Sequence, residues 1–275
     1  MGLVIGIDVG GSTTKIVGLD NDGCIKSPMF ITAADPVTSL FGAFGKYVYD
    51  NGICLADVEH VMLTGVGSSH VDTPIYGLPT SKADEFQADG LGARFDSGLD
   101  RLMVVSMGTG TTLVRVEGDE IRHAGGISMG GGTLRGLSAL LLKTSNIAEV
   151  VEMASRGDIS KINLQIKDIT THQLEGLPMY ATASLFGKVV NSKADESDIA
   201  KGLICMVLET IGSCAVLAAA NSQLRDFVLI GNLTRLPDCK VIFPIMEDLY
   251  GVRFHMPAHA EYCTALGAAL AYRGV

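Results

Sequence analysis

The sequence predicts an α/β fold in which two domains of related design face a common cleft. Three observations carry this prediction. Residues 1–32 read as an apolar strand, a glycine- and hydroxyl-rich turn, a second strand, a polar turn and a third strand. Residues 101–126 repeat the same grammar, and helical patterns follow each copy. Identity between the copies is slight, so the repeat is one of pattern.

In the first copy, LVIGIDV is nearly continuous in apolar residues and reads as a strand. TKIVGLD alternates, and CIKSPMFI follows the turn DNDG, a strong hairpin signal. Asp35 and Pro36 have the chemistry of a helix start, and Val37, Leu40, Phe41, Phe44 and Val48 recur at helical spacing to about Asp50. HVMLTGVG (60–67) reads as a short buried strand ending in glycines. ADEFQADGLGARF (83–95) reads as a helix that Gly90 and Gly92 weaken. Composition turns polar near 98–100, which divides the chain into domains of 1–99 and 100–275.

The second copy, RLMVVSMGTGTTLVRVEGDEIRHAGG, is strand, glycine turn, strand, Glu-Gly-Asp hairpin, strand. SMGGGTLRGLSALLL then brings three glycines to the start of a helix. A further helix is expected over about 146–156, a polar stretch to 180, a long helix from about 196, a strand at FVLIGN and a final Ala-rich helix.

With 275 residues, 47% of them hydrophobic, the chain has material for a packed core and none of the composition of disorder. Its 33 glycines ask for tight turns and close backbone approaches. A net charge of −9 argues against a nucleic-acid partner but leaves a nucleotide open, since that needs only a local set of amide donors. The cysteines at 24, 54, 205, 214, 239 and 263 include no C-x-x-C pair, so reduced thiols and a cytoplasmic location are expected. The first apolar run ends at Asp8 without a basic leader, so no secretory signal is expected. LICMVLETIGSCAVLAAA (203–220) is long enough to span a bilayer, but it carries Glu209 mid-span and lacks basic flanks. A buried or dimer-facing helix is expected there, with no membrane partner. Ile199, Leu203, Met206, Val207 and Ile211 make this helix apolar nearly all round, which requires two covered sides, and part of it is expected to form a homodimer interface.

The glycine turns are the candidate site. Asp8, at a strand end, suits a hard divalent cation that bridges phosphates through water. Gly10 and Gly11 let backbone amides approach an anion, Ser12, Thr13 and Thr14 add hydroxyls, and Lys15 adds a positive charge. The pattern is neither a P-loop nor a dinucleotide fingerprint. The second turn repeats the chemistry with Gly108, Thr109, Gly110, Thr111 and Thr112, so two opposed hairpins can grip a phosphate chain. Gly130, Gly131 and Gly132 stand at a helix N-terminus, favourable for an anion or a nucleotide's ribose region. His255 and His259 are four apart, but Pro257 between them argues against a helical metal pair.

This layout resembles the superfamily of actin, the hexokinases and the 70-kDa heat-shock ATPases, and within it the type II pantothenate kinases. The resemblance runs through DVGGSTTK (8–15), DEFQADGLG (84–92), SMGTGTT (106–112), IRHAGGISMGGGTLRGL (121–137), EMASRGD (152–158), ATASLFGK (181–188), LIGNL (229–233) and EYCTALGAAL (261–270). The first block is common across the superfamily. The run from 106 to 137, followed by the later blocks in order, is the specific part. Ser12 stands where the family usually has Thr.

The resemblance implies two actin-like, ribonuclease-H-like domains around a nucleotide cleft, with Mg2+ and ATP. The reaction it implies is phosphorylation of the primary alcohol of pantothenate to 4'-phosphopantothenate, the first step toward coenzyme A. By match to the family's motifs, Glu85 is the base and Arg122 the arginine near pantothenate. Thr109, Thr111 and Thr112 would hydrogen-bond substrate or phosphate, and Gly130, Gly131, Gly132 and Gly231 would line the adenosine pocket. Phosphoryl transfer asks mainly for positioning and charge stabilisation, and an alcohol needs a base within reach of its proton. Asp84 is the rival base, since adjacent residues on a helix point about 100° apart and one of them faces the cleft. A guanidinium at Arg122 suits a small carboxylic acid, while Arg115 on the same hairpin reads as an exposed cation.

Other functions of the superfamily fit less well. ATP-driven activators of hydroxyacyl-CoA dehydratases have similar starts but hold an iron–sulfur cluster on closely placed cysteines, which the six here do not offer. Filament or chaperone-type ATPases carry extra subdomains for which 275 residues leave little room. The cysteine-rich zinc signature of one large group of sugar kinases is missing.

Overall fold

The structure is a computed structural model that describes residues 2–11, 13–32, 35–172 and 176–274. The first half comprises strands β1 (Leu3–Val9), β2 (Thr14–Leu19) and β3 (Ile25–Ile31), helix α1 (Pro36–Asp50), strands β4 (Val58–Thr64) and β5 (Thr80–Lys82), and helix α2 (Glu85–Ser97). These strands form one sheet in the order β3-β2-β1-β4-β5, with β1 to β3 antiparallel and β4 and β5 parallel to β1. Apart from Asp8 near its end, β1 is apolar because both its faces are covered. Ile5, Ile7 and Val9 join the cluster beneath α1, and Val4 joins a second cluster on the opposite face. Asp35 caps α1 as expected, its Oδ2 accepting from the Thr38 amide at 2.6 Å.

The second half runs β6 (Arg101–Met107), β7 (Thr111–Glu117), β8 (Glu120–Ile127), α3 (Gly131–Leu141), α4 (Ile147–Ala154), β9 (Leu164–Gln165), β10 (Thr182–Ser184), α5 (Glu196–Ala218), β11 (Asp226–Ile230), α6 (Cys239–Tyr250), β12 (Arg253–His255) and α7 (Cys263–Arg273). Its sheet has the order β8-β7-β6-β11-β12, the wiring of the first sheet repeated, with the same antiparallel triplet and parallel pair. The repeat read in the sequence is thus a repeat of topology. The short β5, β9, β10 and β12 carry too few residues to show a period, and α6 holds Pro244 inside it, which masks its helical pattern.

The last helix of each half packs across the molecule. α2 lies on β6, β7 and β8 of the second sheet, and α7 lies on β1, β2 and β4 of the first. The two helices cross between the sheets. The division expected at 99/100 falls in the loop between α2 and β6, with α7 on its far side in sequence but against the first sheet in space. The crossing is glycine-bound: a Cβ on Gly267 would lie 1.7 Å from the Ala88 carbonyl oxygen, and one on Gly92 1.9 Å from that of Cys263.

α5 has the two covered sides its composition requires, and the chain itself supplies them. Leu203, Val207 and Ile211 belong to the core cluster beneath the second sheet, and α3, α4 and α6 pack alongside. Leu217 is exposed near the C-terminus of α5. Glu209, the mid-span charge, accepts a 3.1 Å hydrogen bond from Thr182 Oγ1, and burial pushes its carboxyl up.

Candidate functional site

The two halves leave a cleft of about 430 Å³ between them. It is lined by Asp8, Gly10, Gly11, Thr13 and Lys15 from the first hairpin and by Gly108 to Thr112 from the second. Val66, Glu85, Ser106, Gly126 to Ser128, Gly231, Asn232 and Thr264 complete it. The volume is in the range of small-ligand sites. The hairpins oppose each other: a Cβ on Gly11 would stand 3.8 Å from Thr109 Oγ1. The first is a tight turn closed by the Gly10 amide donating to the Thr13 carbonyl at 3.0 Å. Ser12, expected in this turn, lies outside the described residues.

Asp8 and Lys15 are paired in register across β1 and β2, and Lys15 Nζ donates to Asp8 Oδ2 at 3.0 Å. Burial works against the Lys15 charge, but the Asp8 carboxylate outweighs it and holds the ammonium above its ordinary range. Gly65, at the end of β4, has φ 84°, and a Cβ there would meet Asp8 Oδ1 at 2.5 Å. Glycine is required at this point for the carboxylate to sit where it does. The sequence shows Gly65 as one of the glycines that end this strand, but not its contact with Asp8. Thr14 is committed to Ser39, with their hydroxyl oxygens 3.1 Å apart.

Glu85 and Asp84 separate cleanly. Asp84 is the cap of α2, its Oδ1 accepting from the Gln87 amide at 3.0 Å, and its side chain is spent there. Glu85 follows on the first turn and lines the cleft, half-buried. Burial raises its carboxyl above the ordinary range, and Asp8 raises it further against the opposing pull of Lys15.

Arg122 is not brought to the cleft. Ile121 packs towards α2, so strand alternation turns Arg122 to the opposite face, where it pairs with Glu120 beside Arg115 and Glu117 in a shallow surface hollow. Arg115 is ion-paired with Glu117. His123, the next residue, stacks on Phe86 beside Glu85 with ring centroids 4.2 Å apart.

Gly130, Gly131 and Gly132 serve the second hairpin instead of an open anion site. The Gly131 amide donates to the Gly108 carbonyl at 2.8 Å and the Gly132 amide to that of Thr109 at 2.9 Å, so the first free donors of α3 are taken. A Cβ at Gly130 would meet the Thr109 carbonyl oxygen at 2.6 Å. Thr111 is buried, and its hydroxyl donates to the Met129 carbonyl at 2.8 Å. Thr109 and Thr112 remain at the cleft. Gly231, with φ 90°, abuts Met107 and lines the cleft. Its neighbour Asn232, which sequence reasoning did not single out, donates from Nδ2 to Thr13 Oγ1 at 3.0 Å and so ties the two halves together across the opening.

Known proteins match this chain in sequence and in fold. The model of the family described as Fumble matches residues 98–271, more than half of the chain. A type II pantothenate kinase of Staphylococcus haemolyticus (strain JCSC1435) is 28% identical over 275 residues, covering 96% of this chain and 98% of that protein. A 4'-phosphopantetheine phosphatase of Mus musculus is 39% identical over 122 residues, which is 42% of this chain but only 15% of that protein. Among solved structures, component A of the (R)-2-hydroxyglutaryl-CoA dehydratase of Acidaminococcus fermentans superposes with a TM-score of 0.70 at 17% identity. That match covers 100% of this chain and 99% of the other, a likeness of fold.

Proposed function

The chain belongs to the Fumble family, that of the type II pantothenate kinases, and from that membership we propose that it transfers the γ-phosphoryl group of ATP to the primary alcohol of pantothenate. The observation that carries this reading is a half-buried carboxylate, Glu85, lining the same cleft as two opposed glycine and threonine hairpins. In this mechanism the amides of Gly11, Gly108 and Gly110, with the hydroxyls of Thr13 and Thr109, hold the phosphate chain, and Gly10 closes the turn that presents them. Glu85 accepts the proton of the attacking alcohol, and Gly231 and Asn232 flank the nucleoside. The two hairpins act mainly by positioning, which phosphoryl transfer chiefly needs.

Asp8 fits a Mg2+ ion held through water. It lines the cleft, its Oδ2 is taken by Lys15, and no cluster of three ligands surrounds it among the described residues, so a dedicated all-protein cage is not its chemistry. When bound, the ion would neutralise charge on the phosphates.

A coupled ADP-release assay with magnesium, ATP and pantothenate tests the reading. Turnover that depends on pantothenate is the expected result, and ATP hydrolysis indifferent to pantothenate would sink it. Arg122→Ala is expected to leave kcat and the KM for pantothenate within about twofold of the parent, because an exposed strand cation off the cleft adds little. A KM rise of tenfold or more would show that the arginine reaches the acceptor after all.

A further inference from the structure

One turn of α2 beyond Glu85 stands Asp89, a carboxyl group with no exposed surface. Its Oδ1 accepts a 2.6 Å hydrogen bond from Thr264 Oγ1 on α7, and its Oδ2 has no partner among the described residues. The groups that face it come from every element packed around it: Asp8 from β1, Lys15 from β2, Glu85 from its own helix, Ser106 from β6, and Thr264 and the Cys263 thiol from α7. Glu261, just before α7, bears on Lys15.

Four carboxyl groups, Asp8, Glu85, Asp89 and Glu261, therefore bear on one ammonium, and that ammonium is bonded to Asp8. Asp8 and Glu85 line the cleft, whereas Asp89 is sealed beneath it. An ionised carboxylate there would leave an oxygen both charged and unbonded, which is far costlier than burying the neutral acid. We propose that Asp89 is a positioning residue for the base: as an un-ionised acid tied to Thr264, it fixes α2 and Glu85 against α7 without adding a third negative charge to the cleft. Burial pushes its carboxyl up to about 7, and Glu85 and Asp8 push the same way against the Thr264 hydrogen bond and the opposing pull of the Ser106 hydroxyl. The role through Glu85 rests on the kinase reading, but the protonation state of Asp89 does not.

Asp89→Asn keeps an acceptor for Thr264 and removes the titration. A carboxyl raised in the folded state contributes stability in full below its unfolded value near 3.8, and loses it as pH rises through about 7. The Asn variant is therefore expected to melt above the parent beyond pH 7, with the gap closing as pH falls towards ~4. In the ADP-release assay the parent's kcat should decline above neutrality as Asp89 ionises, and the variant's should not. A variant that melts below the parent at every pH, or a pH profile identical to the parent's, overturns the proposal. If the Asn variant does not fold, Thr264→Val tests the tie. It is expected to lower kcat several-fold with the KM for ATP unchanged, and an unchanged kcat overturns the positioning role. Should the parent show no pantothenate-dependent turnover, the kinase reading fails, and the melting comparison still decides whether Asp89 is un-ionised.

Discussion

Glu85→Gln is expected to lower kcat by about 10²–10⁴-fold while leaving the KM for ATP nearly unchanged. The amide is close in size and shape to the carboxylate, so α2 should keep its place, but it cannot take the proton of the attacking alcohol. Asp84→Asn is the companion variant. Asn caps a helix about as well as Asp, so this change should preserve both fold and turnover. The pH dependence has a definite sign. Glu85 acts as a carboxylate, and its carboxyl is raised by burial and by Asp8, so activity should fall on the acid side at a higher pH than an ordinary glutamate would dictate. Near-parental turnover in Glu85→Gln, measured as ADP release with saturating pantothenate, would remove Glu85 from the base role. Loss of turnover in Asp84→Asn with melting unchanged would transfer the role to its neighbour.

Much of this was legible because strands and turns announce themselves locally. The continuous apolar run of β1, the turn at Gly10 and Gly11, and its echo at Gly108 to Gly110 are short-range patterns that survive in the folded protein. What the sequence could not supply is which face of an element looks at which neighbour. Arg122 matched the position of a substrate arginine, yet packing of Ile121 against α2 fixes the strand so that Arg122 points away. Gly130 to Gly132 have the chemistry of an anion site at a helix start, but the amides of Gly131 and Gly132 are consumed by the carbonyls of Gly108 and Thr109, and that of Gly130 by the Thr133 hydroxyl. Asn232 meets Thr13 across 219 positions of sequence, a pairing no local pattern encodes. The composition of α5 calls for two covered sides, but which helices cover it, α3, α4 and α6, is decided by packing between separate parts of the chain. The candidate site is legible in the glycines and hydroxyls. The side chains that complete it depend on long-range packing.

That packing turns on the crossing of α2 and α7, and Gly267→Ala is expected to damage it severely. Alanine is ordinarily the better helix former by about 1 kcal/mol, so an unconstrained helix would gain from the change. Here the added methyl would fall 1.7 Å from the Ala88 carbonyl oxygen, and 2.8 Å from the Gly92 amide nitrogen. Both are backbone atoms of α2, which no rotamer change can move aside. Relief requires α2 and α7 to part, which disturbs the clusters that each helix makes with the opposite sheet. A net loss of at least ~1–3 kcal/mol follows from overpacking of this kind. In a chain of this size that is a fall in Tm of roughly 2–4 °C per kcal/mol. Gly42→Ala in α1 supplies the opposite sign, since nothing lies within 4 Å of its Cβ position. There the helix gain should appear, about 0.5–1 kcal/mol of added stability. Because α2 carries Glu85 and Asp89, separation of the helices should also depress kcat beyond what melting alone explains at a temperature where Gly267→Ala remains folded. A Gly267→Ala protein as stable as the parent would mean that the helices cross with more room than the backbone distances allow.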